Sequence, residues 1–251
     1  MPCTALFACG EPRRFLLENF DTMQKPQLKP TPDQTFELIG SGEYDFVKVL
    51  SESHALQQRG EVEQACNLRF QAFQRLMEFL PEEEEIILEW NHRNSRAVLE
   101  LLYASAVDHF LIGDYELSAA MLELLVELDP EDHLEGTNLL AFDYQAMDEQ
   151  ELFDEVMNDV SDKHAVRQIL LLWAGWRQQG KLPQGELTRL RERFAPYYKE
   201  FTASEHPADE AYLRAIESER PTPEAEAREL WLQTESLWER FPDFIEALRK
   251  S

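Results

Sequence analysis

The chain has 251 residues, of which 43% are hydrophobic, and its 24 Lys and Arg against 49 Asp and Glu give a formal net charge of −25. A field of that sign repels phosphate backbones and anionic bilayers, so neither nucleic acid nor a membrane surface is expected as a partner. The length suits one helical array or two small domains, and nine glycines are few for a sheet-rich protein.

The three cysteines, Cys3, Cys9 and Cys66, form no CxxC pair and no ladder, which fits a reducing cytoplasm. No run of about 18 apolar residues is present to span a bilayer. Leu6-Phe7-Ala8-Cys9 looks like a lipidation box, but the segment before it is too short and lacks a basic region, so a lipoprotein is not expected. The acidity is uneven. Residues 97–162 hold no Lys or Arg and 18 carboxylates, so this quarter of the chain supplies −18 of the −25.

In chain order, residues 1–33 read as a poorly ordered lead. A short helix fits 13–20, and Pro26, Pro30 and Pro32 then oppose regular structure. Gly40-Ser41-Gly42 is a turn without the spacing or Lys of a phosphate loop. Apolar spacing predicts helices over 44–59 and 61–80, joined at Gly60 as an αα-hairpin. Cys66 lies beside the apolar stripe of the second and is expected buried and inert. Pro81 and the acids 82–85 read as the start of another helix, with Ile86, Ile87 and Trp90 buried. A polar break follows at 91–96, where Asn94 or Ser95 can cap the next helix.

That helix, 98–112, places Leu101, Leu102, Ser105, His109 and Ile112 on its buried face. Gly113-Asp114 turns the chain into 115–128, whose stripe is Leu117, Met121, Leu124, Leu125 and Leu128, with small Ser118-Ala119-Ala120 where helices approach closely. Asp129-Pro130-Glu131-Asp132 is read as a cap, a first-turn Pro and first-turn acids, so a further helix is expected at once. Beyond it come an apolar helix over 166–178 stopped by Gly180 and an amphipathic stretch over 187–201 that kinks or divides at Pro196. Two helices that open with Pro follow, 207–219 and 223–241, the second capped by Thr222, and a final turn spans 244–248. No strand is expected anywhere.

The stretch 99–132 combines a helix, a Gly113-Asp114-Tyr115 turn, small Ser118 three residues on, large apolar residues at helical steps and a closing Leu128-Asp129-Pro130. Over those 34 residues it resembles a tetratricopeptide repeat. Its first helix lacks the Trp and the Leu-Gly pair usual in that repeat, and His109 stands where an aromatic is common. Residues 44–80 and 134–160 resemble it more loosely. The resemblance implies an all-α fold: a tetratricopeptide-like α-α superhelix over 34–180, after a flexible lead (1–33) and before a C-terminal helical extension or cap (181–251). It also implies a groove lined by first helices that holds a peptide, with Glu100, Tyr103, Val107, Phe110, Thr137 and Tyr144 on that side and Arg96 just upstream. The groove is equally open to being filled by the chain's own C-terminal helices.

On this reading the protein is a non-catalytic interaction module for another protein or peptide, basic or apolar rather than acidic, with no cofactor and no metal. Repeats that clamp a chaperone's terminal carboxylate use Lys, Arg and Asn, and residues 97–162 have no Lys or Arg. Arg93 and Arg96, just upstream, are the only nearby groups for an anion contact, but they are expected to pair with Glu89 and Glu100, four residues away on either side. Two alternatives come from other classes. One is an acidic antagonist of a basic protein acting through charge. The other is a metal-dependent helical enzyme, for which Glu89-x-x-His92 has di-iron bundle spacing but lacks the second copy such a site needs. Nucleophilic catalysis finds no motif. The pairs Trp173/Trp176 and Trp231/Trp238 are at helical spacing and read as packing.

Overall fold

The computed structural model of the chain describes residues 27–40, 44–81 and 85–251, and among these it is mostly helical. The short helix expected at 13–20 lies outside the described residues, as do Ser41 and Gly42 of the expected turn.

The expectation of no strand is wrong. Strands β1 (Gln27–Pro30) and β2 (Phe36–Gly40) pair antiparallel, so residues 27–33 belong to a hairpin and not to a lead. Pro30 is tolerated because β1 is an edge strand. The helix expected after Pro81 is absent over 85–90 as well. There the chain is extended: the Phe36 N–H donates to the Ile87 carbonyl (2.7 Å), the Glu89 N–H to the Phe36 carbonyl (2.9 Å) and the Leu88 N–H to the Leu128 carbonyl (2.7 Å). The physical reason is period. Ile86 and Leu88 are buried while Ile87 between them is exposed, an alternation of two that a helix cannot satisfy and that outweighs the helix-start preference of the acids before it.

The same hairpin takes over the residues expected to cap the next helix. Ser95 Oγ accepts from the Leu38 N–H (3.1 Å) and Asn94 donates to the Leu38 carbonyl (3.1 Å), while helix α3 begins earlier than expected, at Arg93, with His92 as its N-cap.

Antiparallel helices then follow. α1 (Phe46–Gln58) and α2 (Val62–Phe79) pack on each other and both on α3 (Arg93–Ile112). Arg69 of α2 is almost fully buried and holds Asp108 of α3 at 2.9 Å. α4 (Tyr115–Leu128) has the predicted bounds, with Asp114 accepting from the Leu117 N–H. Gly113 turns the chain at φ +78°, and a side chain there would run into Arg240. Ile112, expected on the buried face, is 67% exposed because the helix face closes at Phe110.

The helix expected directly after Asp129 starts later. Asp129 accepts from the His133 N–H (2.9 Å), and Asp132 accepts from Gly136 (2.7 Å) and Thr137 (3.2 Å) to open α5 (Gly136–Met147). α6 (Gln150–Val156) and α7 (Ala165–Gln179) continue the series, α7 packing on α5.

The stretch around Pro196 divides, as α8 (Gln184–Arg193) and α9 (Ala195–Thr202). α10 (Glu210–Ile216) is short, and α11 (Pro223–Arg240), capped by Thr222, packs on both α9 and α3; α12 (Pro242–Lys250) closes the chain. Buried residues from Leu38 to Leu248 form one core. Its aromatic centre joins α5 and α7 to the C-terminal helices α9 and α11. Trp238 of α11 meets Trp173 (5.2 Å between ring centres), Phe142 (5.9 Å) and Phe201 (5.9 Å), and its indole N–H donates to Thr234 (2.8 Å).

Trp238→Ala removes the ring that α5, α7 and α9 share. It is expected to cost about 3–5 kcal/mol, read as a lowered midpoint in urea denaturation. The exposed Leu213→Ala should change the unfolding free energy by less than about 0.5 kcal/mol and leave that midpoint nearly where it was.

Candidate functional site: a cleft between the inner helices and the C-terminal helices

α11 packs on α3, and its Trp238 meets Phe142 of α5. What it leaves open is a cleft of about 810 Å³. Tyr103 of α3, and Leu139 and Phe142 of α5, form one wall. Phe194, Pro196 and Tyr197 around the start of α9, with Leu230 and Thr234 of α11, form the other, and the start of α7 closes the end.

The charged residues divide by element. Glu135 stands just before α5, and Glu226 and Glu229 are on α11, whereas Lys163 and His164 precede α7 and Arg193 ends α8. Glu135 sits in the left-handed region (φ 52°) and is held by Asn138 at 3.1 Å. Glu229 accepts from Gln233 (3.0 Å) and from the Tyr212 hydroxyl. Among the described residues none of Glu135, Glu226 and Glu229 forms an ion pair.

The two tyrosines feel these carboxylates. Burial pushes the Tyr103 hydroxyl up to about 12, and the charges of Glu135, Asp132 and Glu229 add to the rise. Burial also pushes Tyr197 to about 12, with Glu226 and Glu135 contributing. Both phenols therefore stay protonated and can donate hydrogen bonds.

The wall built by α9 and α11 is fixed from behind. Glu200 is buried and accepts from Arg228 and from His206 (2.7 Å), which hold its carboxyl below the usual range although burial works in the opposite direction. His206 in turn stacks on Trp231 at 3.9 Å.

Of the residues singled out from the sequence, Tyr103 lines the cleft. Arg96 and Glu100 pair with each other (2.8 Å), and the Arg96 guanidinium lies over Trp90. Val107 is half-buried against the core, and Phe110 is 1% exposed, its ring against Tyr115. Thr137 is buried in the turn capped by Asp132. Tyr144 is buried with its hydroxyl on Glu123 (2.6 Å), on the α4 side and away from the cleft. The cleft residues from α9 and α11 carry no signal in the sequence that sets them apart from core; only the pattern Pro-Tyr-Tyr at 196–198 and the spacing Glu226/Glu229/Leu230/Gln233 on one helix face hint at a lined surface.

Glu89 and His92 do not converge on one site. Glu89 accepts from Thr35 (3.0 Å) and Asn91, and His92 faces Ser95 (3.3 Å). Among the described residues no three of His, Cys, Asp and Glu are grouped to hold a metal ion. Cys66 is half-buried rather than buried; burial and the neighbouring Asp108 push its thiol up to about 11, so it stays protonated. No helix among the described residues is long and apolar enough to cross a membrane. Comparison of the chain with protein-family models, with curated proteins and with solved structures gives no match.

Behind the cleft, Asp143 of α5 is fully buried. One oxygen accepts from Ser118 of α4 (2.7 Å) and the other has no partner. Burial pushes its carboxyl up to about 8, opposed by Ser118 and helped by the charge of Asp114. Its folded value lies above its unfolded one, so its contribution to stability is complete below about pH 4 and is lost as pH rises towards 8. Asp143→Asn removes that dependence. The stability difference between variant and parent should grow in the variant's favour by up to about 1.4 kcal/mol per pH unit across this window, measured by urea denaturation from pH 4 to 9.

Proposed function

We propose that the protein is a non-catalytic interaction module that holds a peptide segment of a partner protein in the cleft between α3, α5 and α11. The observation that carries this reading is the cleft itself: about 810 Å³, within the size range of sites built to bury a ligand, and lined by tyrosine, phenylalanine and leucine interleaved with charged and polar side chains of both signs. Tyr and Phe supply contact area at low entropic cost, the composition expected of a recognition surface. The likeness of residues 99–132 to a tetratricopeptide repeat supports the reading, since such helical pairs, when stacked, present one side to a bound peptide. In that arrangement α3–α4 is the well-formed pair, α1–α2 and α5–α6 are looser ones, and residues 181–251 are an extension that narrows the groove to the cleft.

A second reading rests on a separate observation. Most carboxylates of residues 97–162 are exposed, among them Glu116, Glu123, Glu127, Glu151, Asp154 and Glu155, and would suit a basic protein held by charge alone.

Panning a random dodecapeptide phage library on the purified chain separates the two. The module reading expects peptides that converge on a pattern, bind with weak salt dependence and lose at least tenfold in affinity with Tyr103→Ala. Capture limited to polybasic peptides that is lost between low and moderate salt, and indifferent to Tyr103→Ala, would replace it with the charge reading.

A further inference from the structure

Within the peptide reading of the cleft, on which this inference rests, we propose that the occupant is anchored by an Arg or Lys side chain, whose cation is held between Tyr103 and Tyr197 by Glu135, Glu226 and Glu229. Three observations carry it.

First, these three carboxylates come from two elements that line the cleft, the turn before α5 and α11, and none of them forms an ion pair with a described cation of the chain. Where the chain buries an acid between helices it pairs it, as with Asp108 on Arg69 and Glu200 on Arg228, or keeps it neutral, as with Asp143. Glu135 and Glu226 are exposed and Glu229 is half-buried where they line the cleft, so their charges are open to a ligand.

Second, the charge of Glu135 reaches both tyrosine hydroxyls, Glu226 reaches that of Tyr197 and Glu229 that of Tyr103, so carboxylates and phenols share one space. Carboxylates and phenolic oxygens accept hydrogen bonds from a guanidinium or ammonium group, and the tyrosine rings offer π faces to the same cation.

Third, the flanks are apolar. Leu139, Phe142, Phe194 and Leu230 suit the methylene stem of a long basic side chain and an apolar neighbour in the peptide. The basic residues of the cleft, Lys163 and Arg193, belong to other elements, before α7 and at the end of α8. The cleft as a whole carries both signs, and the acids come from the turn before α5 and from α11.

The test uses the full chain and three immobilised heptapeptide pools, degenerate at six positions and fixed at the central one as Arg, norleucine or Glu. The expected result is at least tenfold more chain retained on the Arg pool than on the norleucine pool, and least on the Glu pool. Glu135→Gln with Glu226→Gln, both at exposed positions, should abolish the advantage of the Arg pool over the norleucine pool. Equal retention on the Arg and norleucine pools, preference for the Glu pool, or an Arg advantage that survives the double variant would overturn the basic anchor while leaving a peptide-binding module in place. Retention on none of the pools would overturn the peptide reading and the anchor with it.

Discussion

Trp238 is the point on which the architecture turns. A series of paired helices leaves one side uncovered, and apolar residues on that side must be buried by something. Here Phe142 and Trp173 on that side are buried by Trp238 and Phe241, which arrive from α11 and the residue that follows it. Arg240 fixes the approach further along, donating to the carbonyl of Ile112 at 2.5 Å, which requires a glycine at 113. The C-terminal helices are therefore the second half of the core, and the cleft is the part of the α3 and α5 surface that they stop short of covering.

A chain of net charge −25 must also decide where its acids go. In residues 97–162 most face water, where they cost little. The others have individual solutions. Asp108 pairs with Arg69, Asp129 accepts from the backbone and ring of His133, Asp132 satisfies the first N–H groups of α5, and Asp143 keeps its proton. Each is what burial demands of a carboxylate: a cation, backbone donors or neutrality. Glu135, Glu226 and Glu229 face the cleft without a cation from the chain, and this sets them apart from the acids that serve only the fold.

The helices were legible where one rule dominated. A Gly-Asp turn, an apolar stripe and a closing Asp-Pro gave 115–128 its bounds, and Pro196 and Thr222 marked a division and a cap that are present. The sequence misled where two rules competed. After Pro81 the acids suggested a helix start, but Ile86 and Leu88 at period two were needed by a strand from 50 residues earlier, and a partner so distant leaves no local mark. Ser95 looked like a cap because its chemistry suits one, yet its hydroxyl serves Leu38 of that hairpin. The cleft was legible only at Tyr103. Helical spacing says which residues share a face, not which neighbour will cover that face. Phe110, Thr137 and Tyr144 went to covered sides, and the opposite wall came from α9 and α11, whose arrival no local pattern announces.

Every feature of the site depends on α11 lying against α3 and α5 and leaving a cleft of defined width. That width can be measured directly with spin labels at Asn138→Cys and Gln233→Cys, one on each wall, after Cys3, Cys9 and Cys66 are replaced by Ser. The account predicts one short, narrow distance distribution by electron–electron double resonance. A broad or long distribution, with α11 away from α5, would contradict it.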